Sequence, residues 1–204
     1  LESGEGERLN TGNNQVNDFA FFITSEITPG KKINIRPGLR IIHNTVYDAP
    51  PVVPSVNAKI SLAKNLDLRL AYARGFRSPS IRELYFNFFD ANHQIVGNPD
   101  LKAETSNSFT GSLNWKAWQQ ENNSLTLVLA GFYNDVKNLI DFAPSASDPN
   151  IYLYLNLAEY KTRGITLNTV WRHKQLLVNA GTAFAGFYNE YFENDKSLDA
   201  FQWS

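Results

Sequence analysis

Neither cysteine nor methionine occurs among the 204 residues. Without cysteine there is no disulfide framework and no thiolate cluster, which suits a compartment where free thiols are a hazard, although cytosolic chains also lack it. Without methionine, Leu1 is no native start, so the chain reads as a segment of a longer protein. Leu1 to Asn14 is polar and Gly-rich, the reverse of a secretory signal. An excess of either charge is missing too: 19 basic and 20 acidic residues leave a net charge of −1. Neutralising phosphates takes a basic face, which argues against nucleic acid as a partner. No apolar run approaches the ~20 residues of a membrane helix. The longest, Leu125 to Tyr133, is interrupted by Thr126 and Gly131. A membrane barrel would escape that test, because apolar and polar residues alternate along its strands and average out.

What the chain does have is alternation. Leu66, Leu68, Leu70 and Tyr72 interleave with Asp67, Arg69 and Ala71, and Phe109, Gly111, Leu113 and Trp115 with Ser108, Thr110, Ser112 and Asn114. The same period runs through Leu125, Leu127 and Leu129, through Ile165, Leu167 and Trp171, and through Ala58, Ile60 and Leu62. Period two means strands with one apolar and one wet face. Eight strands are expected, at roughly 15–27, 33–43, 55–62, 66–73, 105–116, 125–135, 153–171 and 176–188. The first and last alternate poorly, with Phe19 to Ile23 and Leu176 to Val178 apolar on both faces.

The connections are sorted by length. Thr28–Lys32, Ala63–Asn65, Ala117–Ser124 and Arg172–Gln175 are short, whereas Asn44–Pro54, Arg74–Glu104, Val136–Tyr152 and the tail from Asn189 are long. Short and long take turns, so all tight turns fall on one rim and all long loops on the other, as in transmembrane barrels. Trp115 and Trp171 sit beside short turns, and Tyr72, Tyr133 and Tyr188 on strand ends leading to long loops, which suits aromatic belts at two membrane interfaces. The opposite face carries Asn34, Arg36, Arg40, Lys59, Asp67, Arg69, Asn114 and Asn134. Packing those into a dry core would cost several kcal/mol per unpaired charge, so they imply a wide, solvated lumen. Pro37 lacks a ladder donor, and a bulge before Gly38 is expected to absorb it. The fold class is therefore all-β: an antiparallel up-and-down meander of about eight strands, part of a large transmembrane β-barrel.

Two motifs frame the longest internal loop: Arg74-Gly75-Phe76-Arg77-Ser78-Pro79-Ser80-Ile81-Arg82-Glu83-Leu84-Tyr85, and Gly97-Asn98-Pro99-Asp100-Leu101-Lys102-Ala103-Glu104. Together with Phe132-Tyr133-Asn134-Asp135-Val136-Lys137-Asn138-Leu139-Ile140, with Tyr154, Asn156, Gly164 and Ile165, and with Pro-Gly-Leu-Arg at 37–40, they closely resemble the barrel of TonB-dependent outer-membrane receptors. The resemblance covers most of residues 30–190. It implies that residues 1–204 are a partial barrel domain in the bacterial outer membrane, whose plug and remaining strands, of roughly 22 in all, lie elsewhere. It also implies import of a scarce nutrient such as an iron complex, haem or cobalamin, energised by the TonB complex through that plug, with the lipid bilayer as the outer partner. No enzyme activity and no resident cofactor are expected.

Within the loop, Arg77 can pair with Glu83 or Glu104 and pin its two ends. His93 lies between the motifs among Tyr85, Phe86, Phe88 and Phe89. Haem receptors of this family are similar in flanking a loop histidine with an Arg-x-Pro and an Asn-Pro-x-Leu box, here Arg77-Ser78-Pro79 and Asn98-Pro99-Asp100-Leu101, though Ser78 replaces their usual Ala. The outer-loop candidates for ligand contact are thus His93, Arg77, Tyr85, Phe88, Phe89, Asn98 and Asp100, with His93 as an axial iron ligand and the rings as a porphyrin stack. Loop anchorage is the plainer role for the same motifs. His43 and His173 are isolated at strand ends. Gly-x-Ser-x-Gly and Gly-rich phosphate loops are absent, and three scattered histidines give catalysis little footing. Two rival classes stay open: a passive porin-like channel and a soluble carbohydrate-binding β-sandwich.

Overall fold

The computed structural model describes residues 2–5, 13–44, 52–89, 94–145, 147–148, 150–190 and 201–203. In chain order it contains β1 (Glu2–Glu5), β2 (Asn13–Val16), β3 (Asp18–Thr24), β4 (Ile33–Asn44), β5 (Val52–Ala63), β6 (Leu66–Arg77) and the short helix α1 (Ile81–Tyr85). There follow β7 (Asn87–Phe89), β8 (Gln94–Val96), β9 (Glu104–Gln120), β10 (Asn123–Pro144), β11 (Ile151–His173), β12 (Leu176–Glu190) and β13 (Gln202–Trp203). β1 and β2 pair with each other. All other strands share one sheet, whose order β13-β12-β11-β10-β9-β6-β5-β4-β3 is an antiparallel meander. The eight expected strands correspond one to one to β3, β4, β5, β6, β9, β10, β11 and β12.

Register explains why this sheet is a wall with two chemistries. Leu68, Leu113, Leu129 and Leu167 are successive cross-strand partners, flanked by the row Leu66, Trp115, Leu127 and Thr169 and by the row Leu70, Gly111, Gly131, Ile165 and Phe184. Many of these side chains are open to the surroundings: Leu70, Leu113, Leu129, Ile165, Leu167 and Phe184 all count as exposed. A band of exposed leucines this wide is unusual for a soluble monomer, on which apolar patches beyond a few hundred Å² are rare. The next residue of each strand points the other way and is polar: Asn34, Lys59, Arg69 and Ser112 form one row, Ser61, Asp67 and Asn114 another. Ser108, Asn134 and Thr162 join three strands on that wet face, through hydrogen bonds of 2.6 and 2.9 Å.

The apolar band is bounded on both sides. Tyr72, Phe109 and Tyr133 form one continuous row, with ring centroids 4.9 and 6.5 Å apart. Trp115, Trp118 and Trp171 line the other edge; Trp118 reaches it because a register shift at Leu125/Thr126 turns Ala117 out of the ladder. Nine residues separate Phe109 from Trp118, about 30 Å of strand, which at the usual tilt is roughly a 25 Å apolar belt. That is a bilayer's height.

Three expectations need correction. Val136–Tyr152 is not a long loop: β10 runs on to Pro144 and β11 starts at Ile151, so the connection shrinks to residues 145–150. The long side of the sheet is long mainly because strands overshoot the membrane, and the pairs Ile140↔Asn156 and Phe142↔Tyr154 lie out there. For the same reason Tyr72 and Tyr133 are not at strand ends but mark where still-paired strands leave the apolar band, whereas Tyr188 stands near the end of β12 as expected. Finally, no bulge accompanies Pro37, which pairs with Val56 in unbroken register. Its missing N–H shows on the other side, where pairing with β3 lapses after Thr24↔Gly38 and resumes at the Ile27↔Ile35 bridge in the same register. Ser25 N–H still donates to the Pro37 carbonyl at 3.1 Å.

Candidate functional site

The two sequence motifs meet in one folded cap on the long-strand side of the sheet. β6 carries Arg77 and β9 carries Glu104, and the two are register partners at the mouth of the loop. The Arg77 guanidinium donates to Glu104 Oε1 at 2.6 Å and to both Glu83 oxygens at 3.1 Å. The anticipated pairing with Glu83 or Glu104 is thus a pairing with both. Glu104 and Glu83 hold the Arg77 pKa well above the usual guanidinium value, with the Glu104 hydrogen bond as the largest cause.

Glu83 has a second task. Ser80 is the N-cap of α1, its hydroxyl accepting from the Glu83 N–H at 3.3 Å while the Glu83 carboxylate accepts from the Ser80 N–H at 2.7 Å. This is a capping box, and Ser80-Ile81-Arg82-Glu83 spells it in the sequence, a signal that the motif reading passed over. The box satisfies donors that a five-residue helix has no other means to satisfy. Pro79, which leads into it, is fully buried.

The second motif locks onto the first and onto β10 and β11. Gly97 N–H donates to the Phe86 carbonyl at 2.7 Å and Asn98 N–H to the Glu83 carbonyl at 2.9 Å. A Cβ on Gly97 would lie 2.8 Å from the backbone nitrogens of both Tyr85 and Phe86, so only glycine lets the chain cross the end of α1. Asn98 Nδ2 donates to the Tyr154 carbonyl at 3.0 Å, and its Oδ1 accepts from the Asp100 N–H at 3.0 Å. Asn156 brackets Lys102 through the residue's N–H and carbonyl, at 2.8 and 3.0 Å, and also donates to the Asn138 carbonyl at 2.7 Å. Glu104 Oε1 additionally accepts from the Ile140 N–H at 2.8 Å. Beneath these bonds Leu84, Leu101 and Ile140 form a small buried core, with Tyr85 and Tyr154 packed against it. Strand β8 then joins β11 in parallel, Gln94 opposite Ile151, tying the loop's far limb to the wall.

Placed on this frame, the seven candidates separate. Arg77, Tyr85 and Asn98 are committed to the cap's internal bonding and packing. Phe88 is half-buried, its ring stacked 6.3 Å from Phe86. Phe89 is 61% exposed, and Asp100 is exposed at the turn. His93 lies outside the described residues. No group of three metal-ligating side chains occurs among the described residues. The described residues make the cap a hydrogen-bonded rim with exposed aromatic and carboxylate groups.

An open antiparallel arc with a bilayer-high apolar face, a polar inner face and a folded cap on overshooting strands is a wall of a large transmembrane β-barrel. The chain belongs to the family described as "TonB dependent receptor-like, beta-barrel", whose model matches residues 3–202. Over 95 residues, 44% of the chain, it is 36% identical to a "Hemoglobin and hemoglobin-haptoglobin-binding protein C" of Haemophilus influenzae, a stretch that is 8% of that relative's length. Its fold is shared by the hemophore receptor HasR of Serratia marcescens, solved in complex with its hemophore HasA and heme (TM-score 0.71, 14% identity, 91% of this chain and 36% of that one). The siderophore receptor PirA of Pseudomonas aeruginosa shares it too (TM-score 0.65, 18% identity, 95% and 38%). The chain therefore spans well under half of each of these proteins. A soluble sandwich is excluded by the family and by the exposed apolar belt.

Proposed function

We propose that the parent protein is a bacterial outer-membrane receptor that imports haem iron, recognised on a haemoglobin-like carrier and drawn in through a plug coupled to the TonB complex. The observation that carries this reading is the 36% identity to a haemoglobin-binding protein. Identity at that level reaches beyond the barrel architecture, which a siderophore receptor shares at 18% and a hemophore receptor at 14%. Residues 1–204 contribute part of the barrel wall and one outer cap, and the plug and remaining strands are supplied by the rest of the protein.

The ligand-facing role falls to Phe89 and Asp100, and to His93, which lies outside the described residues. Phe89 and Asp100 are exposed on the cap, and His93 follows Phe89 by four positions in the sequence. An imidazole supplies an axial iron ligand and an exposed phenyl ring supplies a face for a porphyrin. Arg77, Tyr85 and Asn98 instead hold the rim in shape.

The test uses the full-length receptor in its own host, deleted for the chromosomal copy. Growth on haemoglobin as sole iron source should fail in the deletion and return with the wild-type gene, while growth on a ferric siderophore stays unchanged. His93→Ala and Phe89→Ala should each slow haemoglobin-dependent growth without lowering receptor abundance. A deletion strain that loses siderophore use and keeps haemoglobin use would turn the substrate assignment toward siderophores.

A further inference from the structure

The wet face of the wall carries two sectors of different chemistry. On β4, β5 and β6 it is cationic. Arg36, Lys59 and Arg69 stand there on successive strands, and with Asn57, Thr110 and Ser112 they line a cavity of about 740 Å³. Arg36 is engaged by Glu26 and Lys59 by Asp67, each at 3.2 Å. Asp67 is further taken up by the Ser61 hydroxyl, which donates to it at 2.7 Å. Arg69, the register partner of Lys59, is exposed, and among the described residues no carboxylate pairs with it and no acceptor takes its N–H groups.

Across β9 the same face turns aromatic. Arg69 opposes Ser112, Ser112 opposes Ala130, and two residues on comes Phe132, the register partner of Thr110 and Gly164. The Phe132 ring fills the place of a Gly164 side chain, since a Cβ there would lie 2.7 Å from Cε1 and 2.8 Å from the Phe184 carbonyl. Gly164 has no positive φ, so these neighbours and not the backbone angle call for glycine. Phe187 stands on β12, 42% exposed, with its ring 6.5 Å from that of Tyr160. It opposes Thr162, which Asn134 bonds on the wet face. A single ring on a wet surface needs no explanation, but rings grouped beside a free cation do. Two interstrand steps and two residues of rise put Arg69 and Phe132 roughly 12 Å apart between Cα atoms.

A guanidinium free to grip a carboxylate bidentately, with aromatic rings at that distance, suits a flat aromatic molecule that carries carboxylate arms. Resting on the haem reading above, we propose that the wet face holds a transit site for an iron porphyrin dicarboxylate on its way inward. The porphyrin lies on Phe132 and Phe187, and a propionate arm reaches Arg69. This is a second station, on the barrel wall below the cap, separate from the outer candidates Phe89, His93 and Asp100. Guanidinium suits it because the planar fork matches a carboxylate and stays charged throughout the accessible pH range.

The experiment measures uptake of radiolabelled haem, and of haem dimethyl ester with both propionates capped, by cells of the parent host carrying the full-length receptor. Wild type should take up the ester about tenfold more slowly than haem, because the charge-assisted bond to Arg69 is lost. Arg69→Ala should slow haem by the same factor and leave the ester at its wild-type rate, and Arg69→Lys should recover part of the loss. Phe132→Ala should slow haem and ester alike, by about fivefold. Haemoglobin binding to intact cells should be unchanged in each. Arg172→Ala, which removes a cation from the same face far from the rings, should leave uptake intact. Haem uptake by Arg69→Ala at the wild-type rate overturns the proposal, and so does an equal slowing of the ester by that variant. It falls too if Arg69→Ala and Phe132→Ala lower the receptor's resistance to urea in step with uptake, since the wall would then be gripping protein. Absence of haem uptake in wild type sinks the haem reading along with the site, whereas wild-type uptake matched by every variant sinks the site alone.

Discussion

Arg77 and Glu104 face each other as the last register pair of β6 and β9, with Nη2 2.6 Å from Oε1 at the point where the two strands part to form the outer cap. The same Glu104 oxygen accepts from the Ile140 N–H of β10. One carboxylate thus joins three strands and, through Arg77 and Glu83, the helix cap as well.

That sharing makes the two ends of the pair unequal. Arg77→Ala removes two partly exposed ion pairs, with Glu104 and Glu83, a loss of roughly 0.2–1 kcal/mol each after solvent screening, and leaves the Ile140 bond in place. Glu104→Ala removes the Arg77–Glu104 pair and also strands the N–H of Ile140, a residue of the cap's buried core, adding about 1–3 kcal/mol. Amide hydrogen exchange at Ile140 should therefore rise about tenfold or more in Glu104→Ala and much less in Arg77→Ala. Glu104→Gln, which keeps an acceptor, should fall between them. Similar exchange in both alanine variants would mean that the carboxylate does not hold β10.

The pH behaviour of this junction follows from the sign of the Arg77 shift. A base whose folded pKa is raised contributes stability that is complete below its unfolded pKa and is lost only as pH climbs through the folded one. Arg77 is raised from a value already high. Its contribution should be flat from about pH 6 to about pH 9, and cap protection measured across that window should not change on account of Arg77. A drop in protection that begins near neutral pH and vanishes in Arg77→Ala would contradict this.

Gly97→Ala should loosen the cap without touching the wall. The added methyl meets backbone atoms at 2.8 and 2.9 Å, which no side-chain rotation relieves. Overpacking of this kind costs about 1–3 kcal/mol. Limited proteolysis should cut between Ser78 and Ala103 faster than in the parent, while barrel unfolding in urea shifts little.

The two faces of the wall should respond oppositely to charge. Leu129 and Ser112 sit on neighbouring strands at the same height, one on the apolar face and one on the wet face, and Ser112 is the partner of Arg69. Leu129→Arg puts a cation into the middle of the lipid belt and should cost about 2–4 kcal/mol in bilayer refolding titrations. Ser112→Lys should cost far less, since its neighbours already include a solvated arginine. Near-equal costs would remove the distinction between the faces.

Much of this was readable before any coordinates. Period-two alternation marked six of the eight wall strands, because a sheet with lipid on one side and water on the other alternates in that way, whereas the first and last, with Phe19 to Ile23 and Leu176 to Val178 apolar on both faces, alternate poorly. The motifs at 74–85 and 97–104 located the cap, and Arg77 with Glu83 and Glu104 was legible as its pin. Strand length was not. Residues 136–144 alternate weakly because, above the bilayer, Ile140 turns into a core made by Leu84 and Leu101 and no longer toward lipid. The Ser80–Glu83 capping box was written in the sequence and could have been read there. Trp118 was not recognisable as an interface residue, since only the register shift at Leu125/Thr126 brings it to the apolar side.

The sequence by itself determined the class of molecule: which residues meet lipid, which meet water, and where the wall is interrupted by a structured cap. Those are properties of single strands and of short motifs, where each residue's role depends on its immediate neighbours. Tertiary structure alone showed which candidates bond and pack within the cap, because Asn98, Tyr85 and Arg77 find partners at Tyr154, Leu101 and Glu104, positions 16 to 56 apart in the chain. It alone also set Arg69 beside Phe132 on one face, since neighbours across strands exist only once the register is fixed.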